Sequence, residues 1–255
     1  MSKLSISLHS LHESVEDWYF REGRDLPWRN IVDPYAILVS EIMLQQTQVS
    51  RVIPKYRDFI KAFPSFNSLA EASAGDVLKI WSGMGYNNRA IRLHKLAKIV
   101  VTELNGELPR TSEELIKLPG IGQYTAAAVA SFAFGSSDPV LDTNIYRVLS
   151  RIFHGTNPPS KQAVYILASE VVPSNSTVSA SNWSQALMDI GASICSIRYP
   201  KCEDCPAKFY CLAASKLEAS TDDALAVISS PKIPKQSKFH GSTRYYRGKI
   251  IELLI

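Results

Sequence analysis

Cysteine is absent before position 195 and after position 211, so all four thiols of this 255-residue chain share one short stretch, CSIRYPKCEDCPAKFYC. No run of eighteen apolar residues occurs either, which excludes a membrane-spanning helix. The opening MSKLSISLHSLHESVEDWYF has no continuous apolar core and is broken by His, Glu and Asp, so no secretory signal is read. A cytoplasmic setting is expected. Its reducing conditions disfavour disulfides and leave metal binding or catalysis as uses for the thiols. Charge of either sign is not in large excess. Lys plus Arg number 28 against 24 Asp plus Glu, and the net +4 permits a polyanionic partner without demanding one. Alternating strand patterns are scarce before residue 215, and no repeat of 20–50 residues is found.

What is present is mostly helical pattern. Leu4, Leu8, Leu11, Val15 and Trp18 fall at a helical period, and Gly23 permits a stop. Asp33-Pro34 reads as an N-cap with proline at the first helical position. One long amphipathic stretch is expected to follow through Ile37, Leu38, Ile42, Val49 and Val52. Ser73 with Asp76, and Thr111 with Glu114, resemble capping boxes, and Ser160 is placed to cap KQAVYILASEVV. Ile145, Val148, Leu149 and Ile152 share one face of DTNIYRVLSRIF. From about residue 216 Ser, Pro and Lys accumulate in a linker-like segment. Lys232, Lys235, Lys238, Arg244, Arg247 and Lys249 follow, with no acidic residue between Asp223 and Glu252.

The cysteines Cys195, Cys202, Cys205 and Cys211 are spaced C-x6-C-x2-C-x5-C. Four thiolates can hold zinc or an iron–sulfur cluster. Zinc sites use two tight knuckles, and only Cys202 and Cys205 form one here. The wide gaps favour a 4Fe–4S cluster, with zinc or reduced free thiols as the alternatives. Arg198, Lys201 and Lys208 make this loop cationic, which suits either phosphate contact or a plain solvated surface.

Three further features carry chemistry. In LPGIGQYTAAAVA, Gly120 and Gly122 allow positive φ and leave backbone N–H groups bare just before a helix. Such a turn attracts phosphate, or it is simply a helix–turn–helix corner. Glu41 and Gln45 share the apolar stripe of AILVSEIMLQQTQV, with Ile37 and Leu38 one turn before Glu41. A carboxyl buried there would have a raised pKa and serve as a general acid, unless it reaches solvent or pairs with arginine. Asp142 in PVLDTNIYRV is placed as an N-cap, and N–H donors are expected to lower its pKa and keep it ionised. One protonated and one charged carboxyl are the pair needed to break a glycosidic bond through a cationic transition state.

These pieces together resemble the helix–hairpin–helix DNA glycosylases of the endonuclease III superfamily, from about Glu22 to Ala214. LPWR, DPYAILVSEIMLQQTQV, WSGMGYNNRA and MDIGASIC are similar to the MutY-type adenine DNA glycosylases within it, although Asn87 stands where those enzymes have a second tyrosine. The resemblance implies an all-α fold of two helical lobes with double-stranded DNA in the cleft. One lobe would span 26–135 with the helix–hairpin–helix. The other would join 1–25 to 136–214 with the cluster loop, and 215–255 would be a basic tail or the start of a further module. Glu41 would protonate the flipped adenine, and Asp142 would stabilise the sugar cation. Tyr124 and Asn144 would hold these groups. Gln45 and Tyr86 would wedge into the duplex, while Arg29 and Gln185 would contact the adenine edge. Leu118, Gly120, Gly122 and Gln123 of the hairpin would meet the DNA backbone, and Cys195, Cys202, Cys205 and Cys211 would bind a 4Fe–4S cluster. Bifunctional relatives carry lysine at the position of Tyr124. Tyrosine has no amine for a Schiff base, so a monofunctional enzyme is expected. The implied partner is DNA containing a mispair of adenine with 8-oxoguanine or guanine, bound by a cytoplasmic, nucleoid-associated monomer. A thymine or uracil mismatch glycosylase is the alternative, and a non-catalytic iron–sulfur DNA-binding module is a third.

Overall fold

A computed structural model describes residues 8–174, 178–219, 238 and 240–254. No strand occurs among them; helices and two short 3-10 turns make up the ordered structure. The chain divides into two compact units, one drawn from Asp25–Phe134 and Pro234–Ile255, the other from Met1–Arg24 and Gly135–Ile233. No helix among the described residues is long and apolar enough to cross a membrane.

The unit containing Asp25–Phe134 is built from α2 (Pro34–Leu44), α3 (Val49–Ala62), α4 (Phe66–Glu71), α5 (Ala74–Trp81), α6 (Asn88–Glu103), α7 (Ser112–Leu115) and α8 (Gln123–Phe134). Asp33 caps α2 by accepting from the Tyr35 N–H, with Pro34 at the first helical position. Every residue from Tyr35 to Met43 is buried, so α2 is a central helix rather than an amphipathic one. The single long helix expected from Ile37 to Val52 is instead two, interrupted at Gln45–Gln48. The break has a physical cause in the left-handed backbone of Gln46 (φ 55°), which a helix cannot continue through. Phe59 and Trp81, both fully buried, meet edge-to-face at 5.8 Å in the core. Burial of each such side chain contributes roughly 1.5–3 kcal/mol. Around them α2 packs on α3 and α8, and α6 packs on α4 and α5.

The other unit holds α1 (Leu8–Glu22), α9 (Thr143–His154), α10 (Lys161–Val171), α11 (Ala180–Ser193) and α12 (Ala214–Ala219), with 3-10 turns at Cys202–Asp204 and Lys208–Tyr210. Leu11, Val15 and Trp18 of the stripe read from sequence are buried; Leu4 lies outside the described residues. Helix α11 is central here, packed on α1 and α9. It crosses α9 closely because Gly191 has no side chain: a Cβ there would stand 2.5 Å from the Asn144 Cβ. The sequence-derived caps hold, with Ser73, Thr111 and Ser160 each accepting from the N–H three residues on. Most of the linker, with Lys232 and Lys235, lies outside the described residues; Lys238 lies within them, as does α13 (Thr243–Leu254), which carries Arg244, Arg247 and Lys249.

Candidate active site and cysteine loop

In the unit containing Asp25–Phe134, α2 delivers Glu41 and, at its C-terminal end, Gln45. Glu41 is only 5% exposed. The Gln45 side-chain amide donates to the Thr125 hydroxyl at 3.4 Å, tying the end of α2 to the start of α8. Gln123 and Tyr124 occupy the first two positions of α8, directly after the glycine turn that begins at Leu118. Of the two glycines that allow positive φ, Gly120 takes the left-handed conformation (φ 86°) and Gly122 does not. One reversal at Gly120, backed by the Ile121 N–H donating to the Leu118 carbonyl, already delivers the chain to α8. Arg29 is buried on the segment leading to α2.

Sequence reading missed the residue that organises this end of α2. Arg89 Nη1 donates to the carbonyls of Ile42, Met43 and Gln45 at 2.8, 2.9 and 2.6 Å. Its Nη2 donates to the Thr47 hydroxyl and the Gly85 carbonyl. Its guanidinium also lies over the rings of Trp81 and Tyr86, 5.4 and 5.3 Å from their centroids. Helix C-termini leave carbonyls without intrahelical donors, and a cation is favoured there. Two non-glycine residues flanking this grip, Gln46 and Tyr86, have positive φ of 55° and 50°. Strain of this kind persists only where the surroundings enforce it, and it gathers at functional sites. Tyr86 is nevertheless 46% exposed, a large ring presented outward on a constrained backbone.

In the other unit Asp142 caps α9. Its Oδ1 accepts from the Ile145 N–H at 2.7 Å and its Oδ2 from the Asn144 side-chain amide at 3.1 Å. These donors do not lower its pKa overall. Burial raises it, and that effect outweighs the bonds from Ile145 and Asn144 and the nearby Arg147. The expectation of a depressed value is thus corrected, since local sequence shows the donors but not the loss of water. Arg147 links this aspartate to the cysteine loop. Its Nη2 donates to Asn144 Oδ1 at 2.9 Å and to the Gly191 carbonyl, while its Nε donates to the Cys195 carbonyl at 2.8 Å. One turn on, the buried Arg151 donates to Cys195 Sγ at 3.2 Å and to the Ser196 and Ile197 carbonyls. The sequence offered a signal for both arginines, since Arg147 and Arg151 are four residues apart in a helix otherwise read for its apolar face.

Cys195, Cys202, Cys205 and Cys211 line one cavity together with Arg151, Lys208 and apolar side chains. Among the described residues no three His, Cys, Asp or Glu groups converge on a point as ligands of a single ion. Burial pushes the thiol of Cys205 up to about 12 and that of Cys211 to about 11, and the neighbouring cysteines add to both. Four thiols crowded in an apolar hollow become thiolates only when a cationic group offsets their charge. The donor set and the cavity therefore fit a sulfur-ligated metal group.

Comparison with known proteins accords with this arrangement. The family model described as HhH-GPD superfamily base excision DNA repair protein matches residues 39–174. The chain belongs to this superfamily. It is 38% identical over 239 residues to a protein of Mycolicibacterium smegmatis named adenine DNA glycosylase, covering 93% of this chain and 78% of that one. It is 41% identical over 218 residues to the human protein of the same name, of which it spans only 39%. Among solved structures, a thermostable thymine-DNA glycosylase superposes with a TM-score of 0.74 at 32% identity, covering 82% of this chain and 97% of that chain. Endonuclease III, solved in a non-covalent complex with DNA, shares the fold with a TM-score of 0.67 at 21% identity, covering 86% of this chain and 100% of that chain.

Proposed function

We propose that this protein is a monofunctional base-excision-repair glycosylase. It hydrolyses the N-glycosidic bond of adenine mispaired with 8-oxoguanine or guanine in double-stranded DNA. The observation that carries this reading is the likeness, across 93% of the chain, to a protein named adenine DNA glycosylase. In this reading the units built on 26–135 and on 1–25 with 136–214 serve as the two lobes of one cytoplasmic, monomeric enzyme.

Glu41 acts as the general acid. A carboxyl withdrawn from water favours its protonated form and can hand the proton to the departing base. Asp142 acts in its ionised form, stabilising positive charge on the sugar as the bond breaks. Asn144 holds one oxygen of that carboxylate and the α9 N-terminus the other. Gln45 and Tyr86 fill the space left when the nucleotide is extruded, which offsets part of an unstacking cost of a few kcal/mol. Arg29 and Gln185 read the base, and Leu118, Gly120, Gly122 and Gln123 present backbone and side chain to phosphate. Tyr124 lacks the amine needed to open the sugar, so the product is an abasic site.

Cys195, Cys202, Cys205 and Cys211 hold a 4Fe–4S cluster. When bound, the cluster would supply the cationic metal centre that keeps four half-buried thiolates together. The purified protein is expected to be brown and to carry iron rather than zinc on elemental analysis. Stoichiometric zinc contradicts the assignment.

The structural likeness to a thymine-DNA glycosylase, at 32% identity, supports a second reading in which thymine or uracil opposite guanine is excised. Labelled duplexes carrying A opposite 8-oxoguanine, A opposite G, and T or U opposite G, treated with alkali after reaction, separate the two. Adenine release is expected; thymine release without adenine release overturns the proposal.

The pKa of Asp142 gives a pH test. Because its folded value is raised above the ordinary 3.8, the carboxylate is lost on acidification at a higher pH than an exposed aspartate would be. The single-turnover rate should therefore fall on the acid side with a midpoint above the ordinary aspartate range, and Asp142→Asn should be nearly inactive at all pH. The stability contribution has the opposite sense. The native state holds this proton more tightly than the unfolded chain. Above the unfolded pKa, ionisation of Asp142 costs stability until the folded pKa is passed.

A further inference from the structure

Arg151 touches both ends of the cysteine set. Its Nη1 donates to Cys195 Sγ at 3.2 Å and to the Ser196 carbonyl at 2.7 Å, and its Nη2 donates to the Ile197 carbonyl at 3.0 Å. Its own carbonyl accepts from the Ala213 N–H at 3.2 Å and lies 3.4 Å from Cys211 Sγ. The Leu212 N–H donates to the next carbonyl of α9, that of Ile152, at 3.0 Å. Helix α9 thus holds the first cysteine through the side chain of one residue and the last through its backbone. Cys202 and Cys205 are held differently, with the Cys205 N–H donating to the Cys202 carbonyl at 3.1 Å across a 3-10 turn.

The Arg151 guanidinium is a cation with no counter-ion. The side chain is 3% exposed, its partners are carbonyl oxygens and one sulfur, and no carboxylate among the described residues pairs with it. Its Nε is a buried donor with no hydrogen-bond partner. Buried charges are ordinarily paired or set against a metal group, and a buried donor left unpaired is costly. Arg151 lines the cavity shared by the four cysteines. Lys208, the other cation lining it, is paired with Glu203 at 2.7 Å. Four thiolates outweigh the positive charge of the metal core they hold, so a thiolate-ligated cluster is anionic as a whole. Such a group in this cavity supplies the countercharge that Arg151 lacks.

We infer that Arg151 is a positioning residue for the cluster, which holds Cys195 by its sulfur and sets the reduction potential through a charged N–H···S hydrogen bond. This rests on the 4Fe–4S assignment to Cys195, Cys202, Cys205 and Cys211, and not on which base is excised. Hydrogen bonds to the sulfurs and net charge are among the factors that fix such potentials. A donor draws negative charge from sulfur, and a buried cation favours the more negative oxidation state, which is the reduced one. Loss of Arg151 therefore makes the cluster easier to oxidise. Arg198 and Lys201 on the same loop are exposed, and water and salt screen their charges.

The test measures the midpoint potential of the iron-loaded protein by voltammetry. Arg151→Gln is expected to shift the equilibrium toward the oxidised cluster at least about tenfold, the worth of one charge-assisted hydrogen bond, which is a lowering of about 59 mV for one electron. Arg198→Gln removes an exposed charge from the same loop and should move the potential far less. An Arg151→Gln potential equal to that of wild type, or moved no further than Arg198→Gln moves it, overturns the inference. Because Arg151→Gln also frees the Ser196 and Ile197 carbonyls and risks the loop itself, a second measurement uses the wild-type protein. Pulsed electron paramagnetic resonance of protein grown with isotope-labelled arginine, its cluster brought to a paramagnetic state, is expected to show coupling to an arginine nitrogen. Iron-loaded protein without that coupling overturns the inference and leaves the cluster assignment standing. Wild-type protein that carries zinc in place of iron overturns both.

Discussion

Glu41→Gln is expected to lower single-turnover adenine release by roughly a hundred- to ten-thousand-fold, the span of positioned general acid catalysis, while duplex binding survives. The substitution keeps the size and shape of a side chain that is 5% exposed on a helix buried on every side, so packing should hold. What it removes is the transferable proton. A protonated base leaves as a neutral molecule, whereas an unprotonated one must carry negative charge away from an electron-poor sugar. The effect should therefore fall on the chemical step and leave affinity nearly unchanged, the pattern of an interaction made only in the transition state. Gel-shift titration beside single-turnover kinetics measures both. Near-normal turnover in Glu41→Gln removes the residue from this role.

Arg89→Met is expected to destabilise the protein by about 2–4 kcal/mol, in the range for losing buried, charge-assisted hydrogen bonds. Methionine keeps an unbranched apolar stem but no donors. The carbonyls of Ile42, Met43 and Gln45 then lose the donor that holds them at the end of α2. The left-handed turns at Gln46 and Tyr86 lose the group that bridges them, because Arg89 also contacts Thr47, Gly85 and the Tyr86 ring. Arg89→Lys should recover little of this, since an ammonium cannot reproduce the planar fork. Denaturant unfolding gives the stability term. Adenine release by the folded fraction should fall too, since Gln45 and Tyr86 would no longer be held as fillers of the emptied stack. A stable Arg89→Met protein with normal release would show that neither depends on this grip.

These two residues also show where sequence stops being informative. Asp33-Pro34 and Asp142 announce helix starts through short-range rules, and both cap as expected. The cysteine spacing singles out four thiols within a few adjacent positions, and the fold gathers them round one cavity. The role of Arg89 depends on carbonyls more than forty positions earlier, and no periodicity marks it as different from a solvated arginine. Arg147 and Arg151 stand out as a pair four residues apart, but their partners lie on α11 and the cysteine loop, out of reach of local sequence. The interruption between α2 and α3 leaves no mark in the hydrophobic pattern, because the apolar spacing runs on in phase across Gln45–Gln48. Asp142 fails in a different manner. Its hydrogen-bond donors are local and legible, but the burial that overrides them is a property of the assembled unit.

Everything proposed here requires Glu41 and Asp142 to act on one nucleoside. The most direct measurement is a structure of the cluster-loaded protein bound to a duplex in which a non-hydrolysable adenine nucleoside lies opposite 8-oxoguanine. The Glu41 carboxyl is expected within hydrogen-bond distance of a ring nitrogen of the extruded adenine, with the Asp142 carboxylate facing the sugar carbon of the same nucleotide. An adenine that stays stacked in the duplex, or that is extruded out of reach of either carboxyl, would contradict the account.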